Sequence, residues 1–233
     1  MTGSGERRPD IVSGERRPDI VAVRHGESTA NVAYGAAVAA GLPVTLPGRD
    51  ADVPLSPLGR RQAAALGRRL ARYRPDAVWC SPYLRARETW EIAAGHLDGP
   101  PPPVRTDDRL GDRRTGILEL MTPAAVERTH PLEARRRAAE GEYAYRPPGG
   151  ESFGDMADRL RQVADVLGAG DDRVLVVAHD AVVALLRFLL AGGESPDVAR
   201  IAGYQPVPNA SVSSWVRGAG HPRLTQYGDV SHL

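Results

Sequence analysis

The sequence predicts an α/β fold, a three-layer sandwich in which a central and mostly parallel sheet is flanked by helices. Short apolar runs alternate along the chain with longer segments of helical periodicity, which is typical of strands joined by crossover helices. The run at 174–178 is apolar throughout, as expected of a central parallel strand covered on both faces. Several runs end in polar side chains, which marks one edge of the sheet as a candidate site.

Five strands are predicted from apolar or alternating runs. They lie at 19–23, 76–80, 104–106, 174–178 and 209–216. The third follows a stiff run of prolines, so we expect it at an edge of the sheet. The last one alternates between apolar and polar residues, and a polar tail is expected after it.

Helices are expected between these strands. The clearest begins after Ser56 and Pro57, because serine is a favoured N-cap and proline suits the first helical turn. Its apolar residues recur at helical spacing as far as Tyr73. Further helices are expected to begin near Glu27, Ser81–Pro82, Thr122–Pro123, Ser152 and Ala181. The charge-rich region around 119–146 is interpreted as a helical lid or insert.

The first 18 residues contain a direct repeat. Residues 4–12 read SGERRPDIV, and the same nine letters recur at 13–21. Only the second copy runs into the first predicted strand, so we expect 1–18 to be a disordered segment or one left by cloning. Residues 19–233 are then expected to form a single domain, which suits the length of the chain.

Composition narrows the classes of partner. The formal net charge is +1, which gives no indication of nucleic acid or an anionic membrane as a partner. The single cysteine, Cys80, excludes an internal disulfide framework and suits a reducing cytoplasm, the expected location. We find no secretory segment and no apolar run long enough to cross a bilayer.

The first predicted strand leads into the stretch that carries the chemistry. It ends at Arg24, His25 and Gly26, and helix-compatible sequence resumes at Glu27. Such a turn presents an imidazole, a guanidinium and free backbone N–H groups at one point, which can hold an anion and attack it. Read alone, His25 could equally be a loop histidine without a chemical role.

Two further strands end in the same way. The strand at 76–80 leads into Ser81 and Pro82, with Arg85 in the first helical turn, and the strand at 174–178 ends at His179. Taken alone, Arg85 could lie on the solvent-exposed face of a helix without a role in the site. Because His25, Arg85 and His179 all follow strand C-termini, they are expected to converge at one edge of the sheet. That convergence favours the functional interpretation.

These motifs together resemble the histidine phosphatase superfamily, which is also called phosphoglycerate mutase-like. Its signature is similar to the Arg-His-Gly-Glu-Ser run at 24–28 with Asn31. The segments that follow it in the family resemble 54–62 (Pro-Leu-Ser-Pro-Leu-Gly with Gln62), 81–89 (Ser-Pro with Arg85 and Thr89), 148–152 (Pro-Gly-Gly-Glu-Ser) and 176–179 (Val-Val-Ala-His). The resemblance covers about 19–215, in the family's order, and implies a phosphoglycerate mutase-like sandwich.

The resemblance also implies roles for individual residues. His25 would attack phosphorus through one ring nitrogen and form a phosphohistidine that water then hydrolyses. Arg24 and Arg85 would clamp the phosphoryl oxygens, since a planar guanidinium suits phosphate. His179 would add a further donor, and Asn31 would bind the phosphoryl group of the substrate.

Two positions depart from the family pattern. The family's acid is usually a glutamate in Leu-x-Glu-x-x-x-Gly, whereas the segment from Leu110 to Gly116 has Asp112 at that place. Asp112 is therefore the expected proton donor to the leaving oxygen, with Glu119 as the alternative. After His179 the family often has a small residue, and here Asp180 brings a carboxylate close to the site.

The function expected is a metal-independent phosphatase that acts on a small phosphorylated metabolite, such as a sugar phosphate, with no cofactor and no metal ligands. One alternative is a cofactor-dependent mutase of the phosphoglycerate mutase type, which shares the catalytic set. A second is a non-catalytic phosphate-binding module, and a third, suggested by His179 and Asp180, is a metal-dependent phosphohydrolase. The partner expected is a small-molecule phosphate ester, with no nucleic acid and no membrane. Association as a homodimer is compatible with the sequence.

Overall fold

Six strands form the sheet at the centre of the molecule. The computed structural model describes residues 11–12, 15–16, 18–193 and 206–233. The strands of the central sheet are β3 (Ile20–Arg24), β4 (Ala77–Cys80), β5 (Val104–Thr106), β6 (Val174–Ala178), β7 (Val212–Val216) and β8 (Arg223–Asp229). Two short strands, β1 (Ile11–Val12) and β2 (Glu15–Arg16), pair with each other in antiparallel fashion and lie apart from this sheet. The rest of the predicted N-terminal segment, 1–18, lies outside the described residues, apart from residue 18.

The order of strands in the central sheet is β5-β4-β6-β3-β7-β8. The four strands from β5 to β3 are parallel, whereas β7 is antiparallel to both of its neighbours. The prediction of a mostly parallel sheet is therefore confirmed. The polar tail expected after residue 216 contains β8, so that expectation is wrong. All residues of β8 are exposed or half-buried, and its identity as a strand depends on pairing with β7.

Seven helices are present in the described part of the chain. They are α1 (Thr29–Ala39), α2 (Pro57–Leu70), α3 (Leu84–Ala94), α4 (Pro123–Thr129), α5 (Pro131–Glu140), α6 (Phe153–Ala169) and α7 (Asp180–Leu190). The helix predicted to reach Tyr73 ends at Leu70, and its N-cap is Ser56, as expected. The segment around 119–146 contains α4 and α5, and its role as a lid stays a prediction.

The two faces of the sheet pack against different helices. In β3, Ile20 and Ala22 contact the core that α6 and α7 form. Val21 and Val23 point to the opposite face and pack against α2 and α3. This alternation is the period-2 pattern of a strand covered on both faces. The three-layer sandwich predicted from the sequence is therefore confirmed, and it places the C-terminal ends of β3, β4 and β6 side by side.

Candidate active site

Strand register brings the two predicted histidines together. Arg24 at the end of β3 pairs with Ala178 at the end of β6, so His25 and His179 are the next residues on adjacent parallel strands. Their ring centroids are 5.2 Å apart. β4 flanks β6 on the other side, which brings Ser81 and the start of α3 to the same edge. The convergence expected from three strand C-termini is therefore present.

The imidazole of His25 is buried and has different neighbours at its two nitrogens. Nδ1 lies 2.6 Å from the carbonyl oxygen of Gly26, which identifies Nδ1 as the protonated nitrogen, and Nε2 accepts a hydrogen bond from Nε of Arg85 at 3.2 Å. Burial, followed by the positive charge of Arg85, lowers the pKa of His25 well below its usual value. The ring is therefore neutral, and its lone pair lies on Nε2, where it faces Arg85.

Close backbone packing fixes the turn that carries His25. The N–H of Gly26 donates to Oγ1 of Thr89 on α3 at 3.0 Å. A Cβ on Gly26 would lie 2.5 Å from the carbonyl oxygen of Gly59, and a Cβ on Gly59 would lie 2.0 Å from that of Glu27. Only glycine allows the turn and the first turn of α2 to approach so closely. The position of His25 thus depends on α2 and α3 as well as on β3.

The guanidinium of Arg85 is the hub of the site. Its side chain is 5% exposed, and all three of its nitrogens are engaged. Nε faces His25, one terminal nitrogen reaches Asp50, and the other reaches both Asp50 and Asp112, with a 2.9 Å bond to Oδ2 of Asp112. The interpretation of Arg85 as a solvated helix residue is therefore excluded by its burial and contacts.

Asp50 is a site residue that the sequence did not predict. Its two carboxylate oxygens each lie 3.0 Å from a terminal nitrogen of Arg85. Asp50 begins a short 3₁₀ turn (Asp50–Asp52) in the long connection between α1 and α2. No local signal marks it, because the loop is brought to the site by distant contacts such as the one between the N–H of Leu46 and the carbonyl oxygen of Leu120, 2.9 Å apart.

Asp112 lies inside the site, between Arg85 and His179. Its Oδ2 is 2.9 Å from Arg85 and 3.3 Å from Nδ1 of His179. Burial opposes ionisation, but His179 and Arg85 outweigh it and hold the pKa of Asp112 well below its usual value. The alternative acid, Glu119, instead accepts the backbone N–H of Asp50 at 3.0 Å. Geometry therefore favours Asp112 over Glu119 as the carboxyl group next to the reacting atoms.

Two residues, one in α6 and one in the loop before that helix, hold Asp112 in place. Arg159 donates to the carbonyl oxygens of Gly111 at 3.0 Å and Asp112 at 3.2 Å. Arg159 also pairs with Glu151 at 2.8 Å, and Glu151 accepts the backbone N–H of Arg114 at 3.1 Å. The Pro-Gly-Gly-Glu-Ser loop therefore anchors the acid-bearing loop and does not itself enter the site through Glu151, which is buried.

His179 is fully buried at the base of the site. Its Nε2 lies 2.8 Å from Oγ of Ser81, and its Nδ1 faces Asp112. Burial lowers the pKa of His179, and the carboxylate of Asp112 opposes that effect without overcoming it. The ring of Tyr83 packs edge-on against His179 with centroids 4.9 Å apart.

Arg24 and Asn31 line the same space from the side of α1. One terminal nitrogen of Arg24 donates to the carbonyl oxygen of Val207 at 2.6 Å. Its Nε is buried without a hydrogen-bond partner among the described residues, which leaves a donor for a ligand. Oδ1 of Asn31 accepts from Ser28 and from Asn209, so the amide NH₂ of Asn31 is the group that it can offer to the cavity.

A cavity of about 350 Å³ opens above these residues. Arg24, His25, Asn31, Arg85 and Asp112 line it, whereas His179 lies beneath them and contacts Asp112. All six predicted site residues therefore belong to one constellation. Its lining also includes Tyr34, Arg113, Thr115, Leu120, Glu142 and Phe153.

Asp180 also lines the cavity, as the sequence indicated. Burial raises the pKa of its carboxyl, against the opposing influence of Arg24. Across 18–193 and 206–233, no three His, Cys, Asp or Glu side chains are grouped as metal ligands would be. None of the helices in that part of the chain is long and apolar enough to span a membrane.

Comparison with known proteins identifies the family. A family model described as histidine phosphatase superfamily (branch 1) matches residues 20–230, so the chain belongs to that superfamily, and the resemblance drawn from its motifs is confirmed. The chain is 35% identical over 187 residues to glucosyl-3-phosphoglycerate phosphatase of Mycolicibacterium vanbaalenii, covering 74% of this chain and 76% of that protein.

Two further relatives bear on fold and class. A 2,3-bisphosphoglycerate-dependent phosphoglycerate mutase of Gloeobacter violaceus is 33% identical over 144 residues, which is 55% of this chain and 60% of the mutase. The solved structure of YhfR from Bacillus stearothermophilus superposes with a TM-score of 0.74 and 26% identity, covering 91% of this chain and 98% of that one. The likeness to the phosphatase thus extends over more of the chain than the likeness to the mutase.

Proposed function

We propose that the protein is a phosphatase that hydrolyses a phosphate monoester through a phosphohistidine on His25. The observation that carries the proposal is the neutral imidazole whose Nδ1 is bound to the carbonyl oxygen of Gly26, with Nε2 at the guanidinium of Arg85. This arrangement supplies a nucleophile with a fixed tautomer beside a cation that binds phosphoryl oxygens.

Four side chains would hold the phosphoryl group in this mechanism. Arg24 and Arg85 neutralise its charge, and the amide of Asn31 orients one oxygen. His179 lies beneath them and adds a donor. Because guanidinium groups supply the positive charge at the phosphate, we propose that the reaction is independent of metal ions.

Asp112 would act as the acid and then as the base. In the empty site, His179 and Arg85 favour its ionised form. A bound phosphoryl dianion competes for both partners and adds negative charge nearby, and both effects raise the pKa of Asp112. Asp112 can then protonate the leaving oxygen and later deprotonate the attacking water. Substrate binding itself thus prepares the acid.

The substrate proposed is a small phosphorylated metabolite of the sugar phosphate type. The lining of the cavity offers an aromatic hydroxyl from Tyr34, a hydroxyl from Thr115 and a carboxylate from Glu142, which can bind the hydroxyls of a sugar. The relative from Mycolicibacterium vanbaalenii is a glucosyl-3-phosphoglycerate phosphatase, which supports the same chemical class.

A cytoplasmic location and action without nucleic acid or a membrane complete the proposal. The location rests on Cys80, which is buried and unpaired, as in proteins of reducing compartments. The formal net charge of +1 lacks the basic excess typical of nucleic-acid binding. Association as a homodimer stays a prediction, and sedimentation of the purified chain would measure it.

The proposal is tested by phosphate release from an aryl phosphate and from a panel of sugar phosphates, with and without a chelator. We expect chelator-resistant hydrolysis that His25→Ala abolishes. We expect Asp112→Asn to slow sugar phosphates far more than the aryl phosphate, whose leaving group needs little protonation. Transfer of the phosphoryl group to a phosphoglycerate in preference to water would instead identify a mutase, and no release from any ester would leave a phosphate-binding module.

A further inference from the structure

The guanidinium that the proposed reaction needs is already occupied by a carboxylate of the protein. Asp50 contacts both terminal nitrogens of Arg85 through its two carboxylate oxygens, each at 3.0 Å, and its backbone carbonyl oxygen accepts a further bond from Arg85 at 2.6 Å. The side chain of Asp50 is 22% exposed, and that of Arg85 is 5% exposed. A two-pronged pair of this kind has the geometry with which arginine binds a phosphoryl group.

Asp50 is held at this place by contacts outside the pair. Its backbone N–H donates to Oε1 of Glu119 at 3.0 Å, and its carbonyl oxygen accepts the N–H of Val53 at 3.3 Å. The loop before it is bound to the segment at 120–122 through the N–H of Leu46 and the bridge between Thr45 and Met121. The carboxylate is therefore presented to Arg85 by a supported loop.

No unoccupied nitrogen remains on Arg85 for an incoming phosphoryl group. Nε bonds to His25, one terminal nitrogen bonds to Asp50, and the other is shared by Asp50 and Asp112. The hydrogen bond from Nε of Arg85 ends on Nε2 of His25, the nitrogen proposed to attack phosphorus, and Asp112 is the proposed acid. The contacts that a phosphoryl dianion can take over at least cost to the chemistry are those of Asp50.

We propose that Asp50 is an affinity-determining residue that competes with the phosphoryl group for Arg85. In the empty site it satisfies the guanidinium and keeps it extended toward His25. During turnover it yields Arg85 to the phosphoryl group, and it takes the guanidinium back when inorganic phosphate leaves. The inference rests on the proposed phosphatase function, in which release of phosphate is a step that a mutase lacks.

The surroundings of Asp50 lower the free-energy cost of breaking its pair with Arg85. Burial raises the pKa of its carboxyl, Arg85 opposes that effect, and the nearby negative charge of Asp112 adds to it. A phosphoryl dianion at Arg85 would remove the attraction and add further negative charge. Asp50 therefore leaves Arg85 readily once phosphate arrives, either by rotating away or by taking up a proton.

The test is the affinity for inorganic phosphate of Asp50→Asn, which keeps the shape of the side chain and removes its charge. Asp50→Ala is the second variant, in case asparagine retains one hydrogen bond. The control is Asp52→Asn, because Asp52 lies on the same turn with a side chain that is 69% exposed. Phosphate binding is measured by calorimetry, and Ki for phosphate and KM for an aryl phosphate are measured in parallel. Thermal unfolding confirms that each variant is folded.

We expect both Asp50 variants to bind phosphate about tenfold more tightly than the wild type, since a charge-assisted pair no longer has to be broken. KM should fall with Ki, and Asp52→Asn should change neither. Unchanged or weaker phosphate binding in the Asp50 variants would overturn the proposal and make Asp50 a support for Arg85. A loss of kcat confined to substrates with poor leaving groups would also overturn it, in favour of an acid.

Calorimetry also separates this inference from the proposed function. Tighter phosphate binding by the Asp50 variants requires no turnover, so it supports competition for Arg85 even in a chain that hydrolyses no ester. If the wild type hydrolyses esters but both Asp50 variants bind phosphate as the wild type does, the phosphatase function is supported and the proposed role of Asp50 is wrong.

Discussion

At His25, the environment of a single side chain decides whether it can act as a nucleophile. The carbonyl oxygen of Gly26 fixes the proton on Nδ1, and burial with Arg85 keeps the ring neutral. Asp112 is instead kept in its charged form, since His179 and Arg85 lower the pKa of its carboxyl before a substrate binds. The site thus keeps an uncharged base and a charged carboxyl within one cavity, and the charge of a substrate would redistribute protons between them.

The lowered pKa of His25 predicts a stability change with pH. In the unfolded chain, this histidine is protonated once the pH falls below its ordinary pKa of 6.5. In the folded protein its pKa is well below that value, so it stays neutral to lower pH. Acidification from pH 7 to 5.5 therefore favours the unfolded chain. His25→Asn removes this linkage, so the wild type should lose about 1 kcal/mol more than the variant over that interval.

Urea unfolding of both proteins at the two pH values measures this difference. His179 has a pKa lowered in the same direction, and the carboxyls of Asp50 and Asp180 have raised values that act in the opposite sense at lower pH. All three groups remain in the variant, so comparing the two proteins isolates His25. Equal losses on acidification would contradict a neutral buried His25.

At the level of elements, the site depends on how closely the turn after β3 approaches the start of α2. Gly26 and Gly59 face each other there with no room for a Cβ. The N-cap Ser56 adds a bond of 2.6 Å to the carboxylate of Glu27, and Gln62 on α2 accepts the N–H of Glu27 at 2.8 Å. Helix α2 therefore supports the turn that carries His25 without contributing a reacting group.

Gly59→Ala should disrupt this support. Its Cβ would lie 2.0 Å from the carbonyl oxygen of Glu27, so the turn or the helix must move. We expect a loss of about 1–3 kcal/mol in the free energy of unfolding, together with a fall in kcat because the nucleophile is displaced. Urea unfolding and the rate with an aryl phosphate measure the two effects.

Gly35→Ala is the matched control for that substitution. Gly35 lies inside α1, and a Cβ there would meet nothing within 4 Å. The control should stabilise the protein by about 0.5–1 kcal/mol, as expected for alanine in place of glycine within a helix, and leave kcat unchanged. If Gly59→Ala behaved like Gly35→Ala, the close approach would have no role in positioning His25.

At the level of the whole molecule, the two ends of the chain have different relations to the central sheet. β8 pairs with β7 next to the fully buried Trp215, and Arg69 on α2 pairs with Asp229 at the end of β8 at 2.9 Å. Before residue 18, by contrast, the described residues form β1 and β2, which are paired with each other in a separate two-stranded sheet. The C-terminal strand is thus part of the domain.

Two truncations should therefore differ. Removal of residues 1–17 should leave the melting temperature within about 2 °C of the full chain, since less than ~1 kcal/mol is involved. Removal of residues 222–233 exposes β7 and should lower the melting temperature by roughly 10 °C or more, or prevent folding. Thermal unfolding of both chains is the measurement. A large loss from the N-terminal truncation would contradict the assignment of that segment as extraneous to the domain.

The sequence was sufficient for five of the six central strands and for most of the site because those features are local. The apolar run at 174–178 and the residues directly after β3, β4 and β6 need only the rule that parallel strands end at a common edge. Arg85 needed more, since its sequence pattern also fits a solvated helix, and the other two strand ends resolved the choice.

What the sequence did not reveal depends on contacts between distant segments. Asp50 lies in a loop with no periodicity, and it reaches Arg85 because residues 45–46 bind the segment at 120–121. β8 is similar, because its half-exposed pattern becomes a strand only against β7. Pairings of this kind are set by the assembled fold, so neither propensity nor motif predicts them.

The most direct test of the account is to trap the phosphoenzyme. A substrate labelled in its phosphoryl group is mixed with the wild type and with His25→Asn, quenched in alkali within the first turnovers, and the modified peptide is sequenced by mass spectrometry. A phosphohistidine mechanism predicts an acid-labile phosphoryl group on His25 in the wild type and no label in the variant. Hydrolysis of the same substrate without label on His25, or with undiminished rate in His25→Asn, would contradict it.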